Sequence, residues 1–181
     1  MELLPALSRS FDQMHRVASG VTADDYRRST PCSDWDVAAL MTHAFGVVDA
    51  MGTVASGGAP GAFTLDRNAP GAQFRTLADK ALAAWKADGV FQREMALGAG
   101  PMPGQMYASI NVLDTLTHAW DLAIATDQDA TIDDDLATFT LGLCEQIIRP
   151  EIRSGRFDDA VPTSPDASAT ERLVAFLGRK A

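Results

Sequence analysis

The chain has 181 residues with 15 basic and 24 acidic side chains, a formal net charge of −9, and that acidity opposes both a phosphate backbone and an anionic membrane. The length suits one domain over 1–181 with a sizeable core, and no uninterrupted apolar run approaches the roughly 18 residues of a bilayer span. Two cysteines are too few for a disulfide framework and MELLPALSRS has no signal-peptide pattern, so a cytoplasmic protein with reduced thiols is expected, with no nucleic-acid or membrane partner.

Leu3, Leu4, Leu7, Phe11, Met14 and Ala18 recur at three and four, which predicts a first amphipathic helix ending at Gly20. After a turn-rich connection, Ser33 with Asp36 resembles a capping box for a second helix from about Trp35 to Val54, burying Leu40, Ala44, Val47, Val48 and Met51. A Gly/Pro-rich loop, SGGAPGAFTLDRNAPG, leads to a third helix carrying Phe74, Leu77, Ala81, Leu82 and Trp85 and stopped by Gly89. VFQREMALGAGPMPG reads as an irregular crossover with an extended piece around Phe91, Met95 and Leu97, and Pro103 is placed to start the next helix. On that helix Met106, Ile110, Leu113, Thr117 and Ile124 are expected to share an inner face with Asp114, His118 and Asp121. Asp133, Asp134 and Asp135 suit the start of a fifth helix with Leu136, Phe139, Leu143, Ile147 and Ile148, and Ser168 with Glu171 makes a second capping-box pattern before Leu173, Val174, Phe176 and Leu177. Four long helices and weak strand signals predict an all-α bundle, whose usual metal position lies between facing helices.

Residues three and four apart share one helix face, so Asp114, His118 and Asp121 form a polar stripe among core positions. An unpaired carboxylate there would cost on the order of several kcal/mol, so the stripe calls for a partner or a cation. His43, beside Leu40, Ala44 and Val47, points to the same interior, although a lone histidine on an apolar face is more often a satisfied core residue. Asp114 and His118 at i and i+4 can converge on one ion, with a third ligand from another helix leaving positions open for water or substrate. On spacing alone, a metal and a buried Asp–His hydrogen-bonded pair stand level. Asp121 is placed to orient His118, with a capping or solvent-facing role as the alternative. Cys32, about 16 Å along a straight helix axis from His43, is read as a packed loop residue outside the site. Cys144 reads as core, His15 as surface, and Trp35 and Trp120 as packing anchors or pocket walls.

TPCSDWDVAALMTHAFG, DTLTHAWDLAIATD and DASATERLVAFLGRK resemble the DinB/YfiT-like metal-binding proteins of the mycothiol-dependent maleylpyruvate isomerase N-terminal group, over nearly the whole chain. The resemblance implies a four-helix bundle of the up-down-down-up type with short extra helices and a C-terminal helix. It also implies a divalent metal, zinc first and nickel as the other candidate, held by His43, Asp114 and His118. The isomerase has Glu where this chain has Asp114, one methylene shorter, and it continues into a C-terminal domain that contributes to its active site. Maleylpyruvate isomerisation is therefore not expected.

The leading functional expectation is a metal-dependent transferase that adds or transfers mycothiol, or a similar low-molecular-weight thiol, to an electrophilic substrate. In that scheme Asp121 is the catalytic candidate, orienting a ligand or accepting a proton. A zinc-dependent hydrolase, a non-catalytic metal-binding stress-response or ligand-binding module, and a metal-free bundle are the alternatives. No heptad run favours a homodimer over a monomer.

Overall fold

A computed structural model describes residues 1–97, 100–153 and 157–180; Gly98 and Ala99 of the expected crossover lie outside the described residues. The described chain is mostly helical with one short two-stranded ribbon, and it divides into two compact units, Glu2–Ala130 and Thr131–Ala181 together with Met1.

In the Glu2–Ala130 unit, helix α1 (Leu3–Ser19) buries Leu7, Phe11, Met14 and Val17, as its three-four spacing predicts, and ends at Gly20. Helix α2 spans Val37–Ala55 and starts two residues later than expected. Its cap is Asp36, whose carboxylate accepts the Ala39 N–H at 2.8 Å, rather than Ser33. The delay has a backbone cause: Ser29 and Asp36 pair as an isolated bridge and Val37 donates to the Arg28 carbonyl at 3.0 Å, which holds the chain extended up to the helix. Helix α3 (Pro70–Trp85) opens on a proline whose missing N–H costs nothing in a first turn. Strands β1 (Glu94–Ala96) and β2 (Pro101–Pro103) pair antiparallel with Met95 opposite Met102, so the crossover holds the extended piece expected at Met95. Helix α4 (Gly104–Ala125) follows directly.

Helices α1 and α2 each pack against both α3 and α4. The approach of α2 to α3 is close at Gly52, where an added Cβ would stand 2.7 Å from the Ala81 Cβ, so only glycine fits without displacement. Phe74 on α3 meets Phe11 edge-on at 6.2 Å between ring centroids and Phe45 at 4.7 Å, joining α1, α2 and α3 through one aromatic cluster. Helix α4 is buried nearly all round, including Tyr107, Val112, Leu116 and Leu122. Met106 and Ile124, expected inside, are exposed; with apolar residues on every face, the hydrophobic pattern of α4 does not select one inner stripe. The helix ends before Asp127, whose φ of 54° is one that a short polar side chain tolerates, and the Arg28 guanidinium pairs with its carboxylate at 2.6 Å. Helix α2 is the one described helix long and apolar enough to cross a membrane, and its buried residues pack on α3 and α4.

In the Thr131–Ala181 unit, helices α5 (Asp134–Ile147), α6 (Pro150–Arg153) and α7 (Ala169–Phe176) follow one another, and α5 packs on α7. The expected capping box is present: Ser168 Oγ accepts the Glu171 N–H at 3.2 Å while Glu171 accepts the Ser168 N–H at 2.6 Å. The buried stripe of α5 is Leu136, Ala137, Thr140 and Cys144, so Phe139, Leu143 and Ile147 are half-buried rather than central.

Candidate metal centre

Two helices and one loop supply the site. His43 comes from α2; Asp114, His118 and Asp121 come from successive turns of α4; Cys32 and Trp35 come from the segment before α2. His43 Nε2 stands 3.2 Å from Asp114 Oδ1, and His118 Nε2 stands 3.7 Å from the same oxygen. All three ligand atoms lie within 4.8 Å of one another, so the residues expected to hold a metal are together. Side-chain exposure falls from 36% at His43 through 16% at Asp114 and 11% at His118 to zero at Asp121, so the group opens to solvent on the His43 side.

Asp121 is buried and its Oδ2 lies 3.0 Å from His118 Nδ1. A carboxylate accepts, so this contact puts a proton on Nδ1, and Nε2 is the ring nitrogen that faces Asp114 and His43. Burial works to lower the pKa of His118, yet the Asp114 charge and the Asp121 and Cys32 hydrogen bonds outweigh it and push the value up to about 10. The negative field that retains a proton on this imidazole would equally favour a metal cation in its place. Asp114 Oδ2 is buried with no hydrogen-bond partner, an orphaned carboxylate oxygen that a cation would satisfy. Two imidazoles and one carboxylate are a donor set suited to a divalent first-row metal. On these grounds the residues fit a metal ion.

The Trp35 ring lies 4.6 Å from the His43 ring and 5.7 Å from that of His118, and the two imidazoles meet edge-on at 5.1 Å. Trp35 is thus a wall of the site, while Trp120 is a buried packing residue. Cys32 corrects the expectation from distance. Its Sγ lies 3.3 Å from Asp121 Oδ2 and 3.9 Å from His118 Nδ1. The path from Cys32 to α2 is not a straight helix: Trp35 N–H donates to the Cys32 carbonyl at 2.9 Å in a turn that carries the thiol back to α4. The Ser29–Asp36 bridge that frames this turn joins residues seven apart, a pairing that helical periodicity cannot reveal. Cys144 is in the other unit, where burial pushes its thiol up to about 12. An open cleft of about 460 Å³ is lined by Arg28, Ser29, Thr30, Pro31, Ile124 and Ala125, and none of His43, Asp114 or His118 borders it.

The sequence profile of the mycothiol maleylpyruvate isomerase N-terminal domain matches residues 7–123, which include every residue of this site. The chain belongs to that family, part of the DinB/YfiT-like group. Two uncharacterized proteins of Mycobacterium tuberculosis, from strains H37Rv and CDC 1551, are each 32% identical over 181 residues, covering 99% of this chain and 98% of theirs. No solved structure matches the chain.

Proposed function

We propose that this family member binds a divalent metal, zinc first, through His43, Asp114 and His118, and catalyses transfer or addition of a low-molecular-weight thiol such as mycothiol to an electrophile. The observation that carries the reading is the convergence of both Nε2 atoms on Asp114, whose second carboxylate oxygen is buried without a partner. Membership of the mycothiol maleylpyruvate isomerase N-terminal domain family supports mycothiol as the thiol. A bound divalent ion would supply the positive charge that lets a thiol lose its proton near neutral pH.

The chain's own residues do the rest. His43 and His118 offer imidazole nitrogens and Asp114 a negative charge, so the set would leave net positive charge on a divalent ion rather than cancel it. Asp121 is a positioning residue that holds the Nδ1 proton of His118 and fixes the direction of its ligating lone pair. Trp35 restricts the rotation of both imidazoles and shields one side from water. The partial exposure of His43 leaves a way in for the thiol and the electrophile. We read α1–α4 as the family's four-helix bundle, supported by the packing of α1 and α2 on both α3 and α4, and place the protein in the cytoplasm.

Untagged protein should retain a divalent metal and accelerate thiol consumption by a panel of electrophiles, and His43→Ala should abolish the acceleration. Activity indifferent to that substitution would contradict the proposal. Turnover of the electrophile without thiol would replace transfer by hydrolysis.

A further inference from the structure

We propose that Cys32, Asp121 and the second ring nitrogen of His118 form another cation site, selective for thiophilic divalent ions such as cadmium or zinc. This inference does not depend on the thiol-transfer reading. The Sγ of Cys32, Oδ2 of Asp121 and Nδ1 of His118 are separated by 3.3, 3.0 and 3.9 Å, within the set of ligand atoms that lie less than 4.8 Å apart. Tetrahedral bonds of about 2.3 Å to sulfur and about 2.0–2.1 Å to nitrogen or oxygen put neighbouring ligand atoms roughly 3.3–3.6 Å apart, so little movement is needed.

The supporting frame is rigid. Asp121 and His118 are buried on consecutive turns of α4, and Thr30 fixes the loop: its hydroxyl accepts the Cys32 N–H at 3.1 Å and lies 2.9 Å from the Trp35 carbonyl. Cys32 itself is half-buried, which gives an ion a route in. One thiolate and one carboxylate balance a divalent charge, and the thiolate selects soft ions over magnesium or calcium. Binding releases the Cys32 thiol proton to solvent and displaces the Nδ1 proton of His118, which keeps one proton on Nε2 and stays a neutral imidazole, with no electron transfer. A neutral imidazole carries one lone pair, so this ion and one on the His43 side compete for His118.

The test is a cadmium titration of the full chain, read by the thiolate-to-metal charge-transfer absorbance, for the wild type, Cys32→Ser and His43→Ala. The wild type and His43→Ala should develop the band and Cys32→Ser should not. On the wild type alone, cadmium should also protect Cys32 from alkylation, a readout that survives if Cys32→Ser fails to fold. Absence of the band or of protection in the wild type, its persistence in folded Cys32→Ser, or its loss in folded His43→Ala would each overturn the proposal.

Discussion

Helix α2 separates two unlike halves of the Glu2–Ala130 interior. Toward α3 it presents Phe45, which packs against Phe74, and toward α4 it presents His43, which reaches Asp114. These residues are two apart, about 200° around a helix, so the two neighbours of α2 receive opposite chemistry from within a single turn. The aromatic half needs nothing more: each buried ring contributes about 1.5–3 kcal/mol. The polar half leaves a buried carboxylate oxygen without a partner, which the proposed cation would satisfy. Stability and chemistry therefore lie on opposite faces of one helix and can be broken separately.

The largest effect is expected from Phe74→Ala, which removes the ring shared by α1, α2 and α3 and should cost about 3–5 kcal/mol in urea unfolding. The folded fraction should keep its zinc affinity; parallel loss of both would show that the halves are not separable. Asp121→Asn touches the other half and should weaken zinc binding by about 10- to 100-fold in a calorimetric titration. An unchanged affinity would remove Asp121 from the support of His118. Gly52→Ala, with its methyl forced against Ala81, should cost about 1–3 kcal/mol by thermal unfolding, again without altering metal affinity.

The smallest effect lies in the other unit, where Ser168→Ala should cost about 1 kcal/mol. The Ser168 backbone and hydroxyl hold the Glu171 carboxyl below its usual 4.5, so folding is favoured by this cap above that value and loses the benefit as pH falls through the lower folded value. An acid titration of stability should accordingly be flatter for Ser168→Ala than for the wild type.

Much of this arrangement was legible from local patterns. The Ser168–Glu171 box and the α1 stripe follow directly from spacing, and Asp114, His118 and Asp121 share a face because α4 runs unbroken through all three. What escaped depends on longer-range geometry. Cys32 joins His118 only because a turn and a bridge fold the loop back across 86 residues of sequence separation. The exposed Met106 and Ile124 escaped for the opposite reason: α4 is apolar on so many sides that its pattern alone could not say which residues face out.

The most direct test of the account is zinc titration of Cys32→Ser protein, in which only the His43 group remains complete, with and without His43→Ala. Cys32→Ser should bind about one zinc per chain, and the double variant should bind it more than about 100-fold more weakly. Failure of folded Cys32→Ser to bind zinc, or equal affinity in the two proteins, would contradict the assignment of His43, Asp114 and His118 as a metal centre.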